Sequence, residues 1–519
     1  MTVTSHPLTA LRRPDGWSRV AALVTACAVY YCSSRGFHDA LVVLTAVAFI
    51  GLVVLGLRWP VPVLCLIGLF VPVQTVVLAL AYHYGAPASL VRAAGGAKEL
   101  AVAVVALLAV TGRRRRRARL DAIDTAALVV IAIATLYLLL PLAAPQMLGS
   151  QPLQVRLLSW RTEAMFLVFL LALRRVSFSD RERRWVIGAF CLGGVVLAAV
   201  AAYEWAAPDS YNSWLINHGV PAYYRDILHS PLDTPWQLLQ YSQLGDPHPR
   251  AGSLLLSPLV YCWYSLIVAA VGLERLARRT FDWRALLVTS AGAAGVILSG
   301  TRSAVIALVL VALASLAYSS PRLNRHRERV GLVLLVGAVA AVPLVSRTSI
   351  LQRIRAAIAG TDISTQGHSR GLSTGWADLI HQPLGRGLGA NPDVGDRFQT
   401  SIRVTTENGY LQVGVELGVV AMVAFIAWLC FVIARARKVS GGPAEADRLA
   451  LAVLAAGVGL ALGSMFLHAW LGPTALAFAM VAGLALPHSG ADPPVDGAGL
   501  RRVHPDVDHA GTGVFVPVP

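Results

Sequence analysis

The chain has 519 residues, of which 56% are hydrophobic and only 14% are charged, against roughly 25% charged residues in an average soluble domain. This composition excludes an ordinary soluble protein. The formal net charge is +16, and the basic residues are arginines except for Lys98 and Lys438. A GC-rich genome produces part of such an arginine bias, so the charge does not indicate a nucleic-acid partner, and we predict none.

Apolar windows of about 20 residues recur along the chain, and each is long enough to cross the ~30 Å hydrocarbon layer of a membrane. The alternating ten-residue segments of a transmembrane barrel are absent from the sequence. We therefore predict an all-α, polytopic integral membrane protein with about 14 transmembrane helices. The first of them is expected to be a retained helix and not a signal peptide, because it ends in Tyr30-Tyr31-Cys32. The predicted spans are 18–33, 39–57, 60–82, 97–111, 123–144, 159–174, 185–205, 253–273, 283–299, 302–319, 329–346, 408–434, 449–468 and 471–487.

Charge assigns a side to each connection. Five short basic connections fall on one face together with both termini, and the positive-inside rule makes that face cytoplasmic. The two long connections, 206–252 and 347–407, then lie outside. This predicts a cytoplasmic segment 1–17, helices over 18–205, 253–346 and 408–487, and a disordered cytoplasmic tail 488–519. The basic connections are 113–119, 174–184, 274–284, 321–329 and 435–438.

The six cysteines stand singly inside apolar runs, with no C-x-x-C pair. Neither a zinc site nor a redox motif is indicated, and the cysteines are expected to be small core residues. We predict no metal and no cofactor.

Several arginines map to the outer face, and two of them have distinctive surroundings. Arg250 in "HPRAGSLLLSP" and Arg302 in "LSGTRSAVI" each stand at the outer end of a span. A guanidinium group at a helix entrance binds phosphate oxygens well, and a helix N-terminus adds partial positive charge. We predict that Arg302 is a catalytic residue and that Arg250, Arg302 and Arg370 bind substrate. Four other outer arginines are expected to extend their side chains to lipid headgroups instead. They are Arg347, Arg353, Arg355 and Arg397.

The stretch "SRGLSTGWADLIHQPLGRGLG", residues 369–389, predicts a short amphipathic helix followed by a glycine-rich turn. "GRGLG" follows a helix instead of a strand, so a tight turn is favoured over a phosphate loop. His381 is expected to be a turn or packing residue, because no second ligand stands at metal-binding spacing beside it. The apolar stripe of the helix is predicted to be Leu372, Trp376, Leu379 and Ile380.

Four motifs occur in order: "RAGSLLLSP", "SGTRSA", "R…W…LIHQPLGRGLG" and "ENGYLQVGVELGVV". Over roughly residues 160–435 the chain resembles the O-antigen ligase and polymerase family of membrane glycosyltransferases. The resemblance implies a GT-C-like enzyme on the outer face of the cytoplasmic membrane, with its active site outside the cytoplasm. Such an enzyme takes a polyprenyl-diphosphate-linked oligosaccharide as donor and a glycan or lipid-glycan hydroxyl as acceptor, among membrane lipids, without a metal or a sugar nucleotide.

One residue departs from the family pattern. Ligases of the family place a histidine before the asparagine of the last motif, where this chain has Glu407. Acidic residues there are commoner among exopolysaccharide polymerase-like members, so the departure favours a polymerase over a ligase.

The last motif also places Asn408, Gln412 and Glu416 on one side of a membrane helix. A charged residue at mid-span costs about 2.5–3.5 kcal/mol on insertion, so this stripe should face a cavity or other helices, not lipid. For Gln412 and Glu416 we favour a role in holding helices together. Glu407 lies at the membrane surface and is the predicted general base for the acceptor hydroxyl; Asn408 and Tyr410 are predicted to bind substrate.

Two other classes of function stay open at this point. A lipid-linked glycan flippase is one, although the paired repeats typical of transporters are not visible in the sequence. A non-catalytic scaffold for envelope assembly is the other, because Glu407 replaces the family histidine.

Overall fold

A computed structural model of the chain describes residues 50–111, 119–143, 151–230, 250–277, 282–318, 363–390, 406–442, 444–470 and 472–488, together with residue 359. The regular elements in these ranges are helices, which confirms the all-α prediction. A helical stretch over 50–58 comes first. Helices α1 to α16 then follow as Pro60–Phe70, Gln74–His83, Ala88–Gly95, Ala97–Thr111, Ala122–Ala143, Leu153–Arg175, Asp180–Ala206, Pro208–Asn217, Val220–Asp226, Pro258–Leu276, Trp283–Leu298, Arg302–Tyr318, Ile363–His381, Gly409–Val439, Glu445–Gly463 and Gly472–Ala485.

The chain is a polytopic membrane protein by the length and apolar character of these helices. Within the described ranges, six are long and apolar enough to span a membrane, or seven if one bent pair is a single span. Three further apolar helices, α11, α12 and α16, are shorter. The number of fourteen stays a prediction, because the proposed spans 18–33 and 329–346 lie outside the described residues. The six are Ala88–Thr111, Ala122–Leu140, Asp180–Ala206, Pro258–Leu276, Gly409–Val439 and Glu445–Gly463.

The predicted span 60–82 is broken into α1 and α2, which are bent by 77°. The break falls at Pro72, where the chain makes a turn. Proline has no N–H to donate, and its ring clashes with the carbonyl one turn earlier. The hydropathy of the segment is continuous across this point, so composition alone predicted one helix.

The core is centred on α10. In the apolar stretch of this helix that is long enough to span a membrane, 83% of the residues are buried, against 33% in the corresponding stretch of Ala88–Thr111. Close to it, aromatic rings from α6, α14, α16 and the segment before α16 pack edge to face and in stacks, with centroids 5.3–6.4 Å apart. Aromatic pairs of this geometry add roughly 0.5–1.5 kcal/mol each beyond their buried area. They hold the C-terminal helices to the centre of the bundle. The rings belong to Phe166, Phe425, Trp428, Trp470 and Phe478.

The first long connection, 206–252, is partly helical. It contains α8 and α9, and its aromatic residues Tyr211 and Tyr223 are buried against Leu78 and Ala79 of α2. Burying aromatic and aliphatic side chains is the largest favourable term available to such a short segment. The part over 231–249 lies outside the described residues.

Candidate active site

The segment 250–253 is held against the end of α7 by a buried carboxylate. Glu204 accepts the backbone N–H of Gly252 at 3.1 and 3.2 Å and that of Ser253 at 2.7 Å. The Tyr211 hydroxyl donates to the Ser253 carbonyl at 2.9 Å, and burial raises the pKa of Tyr211 well above its usual value. Because a buried carboxylate is costly without such donors, Glu204 fixes the position of this segment.

Arg250 projects from this segment onto the turn that precedes α12. Its Nε donates to the Ser299 carbonyl at 3.0 Å and its Nη2 to the Thr301 hydroxyl at 2.8 Å. Gly300 has φ +64°, and a Cβ there would stand 3.1 Å from the Arg250 side chain, so the turn requires glycine. Arg302 comes directly after this turn and begins α12. The structure thus brings the two predicted phosphate-binding arginines to one turn.

The end of α15 joins this region to the start of α14. Gly463 packs against the ring of Trp263 near the start of α10. In the segment that follows, Ser464 accepts the backbone N–H of Gly409 at 2.8 Å. The beginnings of α10, α12 and α14 therefore lie at the same end of the bundle, which we call the motif end because Arg250, Arg302 and Glu407 are all found there.

Asn408 caps α14. Its Oδ1 accepts the N–H groups of Tyr410 and Leu411, both at 3.0 Å, and its Nδ2 donates to the Met465 carbonyl at 2.8 Å. The Tyr410 hydroxyl donates to the Ala461 carbonyl at 2.8 Å. Asn408 is thus the N-cap of α14, and both side chains also tie the start of this helix to the end of α15. Their predicted role in substrate binding stays a prediction.

The helix α14 is broken at Gly418, where φ is +86°. The glycine-rich turn after α13 docks onto this break: Arg386 N–H donates to the Val415 carbonyl at 2.7 Å, and Gly387 N–H to the Glu416 carbonyl at 3.0 Å. Val419 N–H returns a bond to the Pro383 carbonyl at 2.9 Å. The tight-turn interpretation of "GRGLG" is confirmed, since these N–H groups meet protein carbonyls.

Glu416 lies inside this junction and is fully buried. Its carboxylate accepts the Ser159 hydroxyl of α6 at 2.7 and 2.9 Å and the Gly389 N–H at 3.0 Å. Gln412, one turn earlier, is also buried. A buried charge requires such donors, and those of Glu416 come from two other parts of the chain. Its expected role of holding helices together is confirmed.

The helix α13 packs on the first part of α14, but not through its predicted apolar stripe. Leu379 is buried against Leu411, whereas Leu372, Trp376 and Ile380 are 48%, 53% and 63% exposed. The prediction named the apolar stripe of this helix but not the face that packs on α14. The buried face is formed by small residues: Gly371 and Gly375 are buried, and a Cβ on Gly375 would stand 2.9 Å from the Thr406 side chain. Close backbone approach favoured glycine over large apolar side chains.

This packing brings His368 of α13 to Glu407. His368 Nδ1 and Glu407 Oε2 form an ion pair if the histidine is protonated, and the two side chains are 29% and 44% exposed. His368 was missed in the sequence, because it stands far from Glu407 in the chain and outside the matched motifs. Its spacing from Gly375 and Leu379 places the three residues on one helical face, and this was the feature of the sequence that could have indicated His368.

Three further polar residues lie on α13 or in the turn that follows it. Arg370 is exposed on α13. His381 is exposed, with Nδ1 2.6 Å from the Ala377 carbonyl, as expected of a turn residue. Arg386 donates through Nε to both carboxylate oxygens of Asp378 at 2.8 and 2.9 Å, and this hydrogen bond raises the pKa of Arg386. The outer arginines at 347, 353, 355 and 397 lie outside the described residues.

The opposite end of the bundle carries a buried cluster that the sequence did not suggest. Arg174, at the end of α6, pairs with both Asp121 and Asp124 and donates through Nε to the Leu486 carbonyl at 2.8 Å. His488 Nε2 lies 3.0 Å from Asp124. Asp121, Asp124 and His488 present ligand atoms within 4.8 Å of one another, a donor set that suits a cation, but Arg174 already bonds both carboxylates.

Comparison with known proteins finds a family match for part of this chain. The O-antigen ligase family model matches residues 285–426, and no curated protein matches the chain. The matched region contains Arg302, the α13 helix with its glycine-rich turn, and the start of α14 with Glu407. It is narrower than the resemblance seen in the sequence, and Arg250 lies before it. The match over residues 285–426 supports a resemblance of this region to O-antigen ligases and polymerases.

Proposed function

We propose that the protein is a membrane glycosyltransferase that polymerises or ligates cell-surface polysaccharide. It would transfer a glycan from a polyprenyl-diphosphate carrier to an acceptor hydroxyl. The observation that carries this proposal is the packing of Arg250 onto the turn before Arg302, at the end of the bundle where Glu407 precedes α14. A role in polysaccharide ligation or polymerisation fits the family match; the donor, the acceptor and the mechanism are our proposal.

The two arginines would bind the diphosphate of the donor. Negative charge grows on the diphosphate as the glycosidic bond breaks, so guanidinium groups there stabilise the transition state more than the ground state. Arg250 is held on both sides, by the Glu204-bound segment and by the Ser299–Thr301 turn. A preorganised group of this kind needs little rearrangement when the charge develops.

Glu407 stands at the entrance of α14, beside the residue that caps the helix. Removal of the acceptor hydroxyl proton requires a base at this surface, and a carboxylate or a group that it orients can supply one. We propose that transfer uses these side chains without a resident metal or cofactor. Glu407 in place of the family histidine favours a polymerase, with an exopolysaccharide as product and an undecaprenyl-type carrier as donor.

We further propose that the motif end faces the outside of the cytoplasmic membrane, with both termini in the cytoplasm. Single cysteines at Ser230 and Thr365 should then react with an impermeant maleimide in intact cells, and a cysteine at Arg116 should react only after lysis. Reaction of the cysteine at 116 in intact cells would overturn this orientation.

The activity itself is tested with purified protein in lipid vesicles and the polyprenyl-diphosphate-linked oligosaccharide fraction from the host's own membranes. Longer lipid-linked chains would identify a polymerase, and transfer to a separate glycan acceptor a ligase. Translocation of the donor with no new glycosidic bond would identify a flippase instead, and neither product nor translocation would leave the scaffold role. The first two results support the proposal, and the last two overturn it.

A further inference from the structure

We infer that His368 and Glu407 form a catalytic dyad, in which His368 accepts the proton of the acceptor hydroxyl and Glu407 positions the imidazole. This inference rests on the proposed glycosyl transfer. It assigns the role of general base to His368 on α13, and not to Glu407, the residue that the sequence indicated. The carrying observation is the contact between His368 Nδ1 and Glu407 Oε2.

The fold of α13 accounts for this contact. His368, Gly371, Gly375 and Leu379 recur every three or four residues and therefore share one face of the helix. The last three are buried, with Gly375 against Thr406 and Leu379 against Leu411. Since Thr406 directly precedes Glu407, docking of this face places His368 next to the carboxylate.

The atoms involved assign the two roles. An imidazole whose Nδ1–H donates to a carboxylate has its other nitrogen, Nε2, as the proton acceptor. The carboxylate fixes this tautomer and stabilises the imidazolium that forms, which is the arrangement of the serine-protease triad. The family places a histidine at the position of Glu407. In this chain His368 of α13 supplies the imidazole instead, and Glu407 positions it.

The surroundings argue against a contact that only stabilises the fold. The two side chains are 29% and 44% exposed, and an exposed ion pair adds little to stability. The docking of α13 already has Leu379, Gly375 and the glycine-rich turn to hold it. Partial exposure is what a base needs to reach an acceptor hydroxyl.

The chemical step balances with these groups. The acceptor O–H proton passes to His368 Nε2 while the acceptor oxygen forms a bond to the anomeric carbon. The bond from that carbon to the phosphate oxygen breaks, and its electron pair leaves with the diphosphate, which Arg250 and Arg302 stabilise. The imidazolium, paired with Glu407, then releases its proton to water.

The inference predicts three different kinetic results in the vesicle assay with the host's lipid-linked oligosaccharide fraction. His368→Ala should lower kcat by about 10²–10⁴-fold, the range for loss of a general base, with the KM for the donor nearly unchanged. Glu407→Gln should lower kcat by roughly ten- to a hundred-fold, because the amide still contacts the ring but cannot stabilise the imidazolium. His381→Ala is the matched control on the same helix and should retain the parent rate.

Chemical rescue separates proton transfer from folding. Added imidazole should restore part of the activity of His368→Ala and none of that of Glu407→Gln, whereas a misfolded variant would not respond. If His368→Ala has a rate within a few-fold of the parent while Glu407→Gln is inactive, Glu407 is itself the base and the inference is wrong. If the parent forms no product, the proposed function fails, and this assignment fails with it.

The geometry can be tested without any activity. Cysteines introduced at both 368 and 407, in a chain whose native cysteines are replaced by alanine, should form a disulfide on mild oxidation. A pair at 381 and 407 should not, because His381 lies at the far end of α13. Absence of the first cross-link in protein that elutes like the parent would overturn the dyad even if the protein is an active glycosyltransferase.

Discussion

The two ends of the helical bundle use charged residues in different ways. At one end, Arg174 is buried and pairs with Asp121 and Asp124. At the motif end, Arg250 donates to a carbonyl and a hydroxyl, and the buried carboxylates of Glu204 and Glu416 accept from backbone N–H groups and a serine hydroxyl.

This difference separates structural from functional charge. A buried arginine between two carboxylates satisfies its donors within the protein, and removal of either partner leaves an uncompensated charge. At the motif end the two predicted phosphate-binding arginines lie at one turn, which is the basis of the proposed diphosphate site, whereas Glu204 and Glu416 hold parts of the fold together. Stability should therefore depend mostly on the Arg174 end, and catalysis on the motif end.

The largest effect is expected at the motif end. Arg302→Ala should lower turnover per folded protein by more than about 10²-fold, a loss of about 3 kcal/mol in transition-state stabilisation, and lysine should rescue it poorly because the fork geometry is lost. Arg225→Ala is the control, since its side chain is 67% exposed and pairs with Asp226; it should retain the parent rate. Activity of Arg302→Ala within a few-fold of the parent would remove this arginine from the site and weaken the comparison.

At the opposite end, the expected effect is on stability. Arg174→Ala leaves Asp124, which is fully buried, with only His488 beside it, and breaking such a buried pair costs about 3–5 kcal/mol. Thermal unfolding in detergent, followed by size-exclusion chromatography, should show a clearly lower midpoint than for the parent or for Arg184→Ala, an exposed arginine on α7. An unchanged midpoint would mean that this end does not stabilise the fold.

A smaller effect is expected at the break in α14. Gly418→Ala adds a Cβ at φ +86°, with carbonyl atoms of Pro383 and Leu384 2.8 Å away, and should cost roughly 1–3 kcal/mol. Gly441→Ala has no atom within 4 Å of its Cβ and is the control. The same unfolding measurement applies to both variants; equal midpoints for them would show that the glycine-rich turn tolerates a shifted α14.

The smallest effect concerns pH at the motif end. Hydrogen bonds from Arg225 and Tyr82 hold the pKa of Asp226 below its ordinary value. The folded protein therefore binds fewer protons here than the unfolded chain, so the stability from Asp226 is present above about pH 4 and is lost as the pH falls through the lower folded value. The unfolding midpoint of Asp226→Asn should depend slightly less on pH between 5 and 3 than that of the parent. A steeper dependence in the variant would contradict this assignment.

Much of the fold followed from the sequence, because hydropathy is a local property. It predicted the all-helical membrane class, and the motifs predicted a family resemblance that the match over residues 285–426 supports. The positions of Arg250 and Arg302 at span ends also followed, since each stands beside an apolar run. Local signals failed where a helix is interrupted inside an apolar run: Pro72 breaks one predicted span, and Gly418 breaks another.

The sequence by itself therefore determined that the chain is a bundle of membrane helices with arginines and Glu407 at predictable ends. Only the tertiary structure decided which face of α13 is buried. Periodicity indicated an apolar stripe that includes Leu372, Trp376 and Ile380, but the approach of α14 is so close that glycine occupies the contact and those side chains lie outside it. The pairing of His368 with Glu407 depends on that choice of face, because side chains from distant parts of the chain meet only where helices pack.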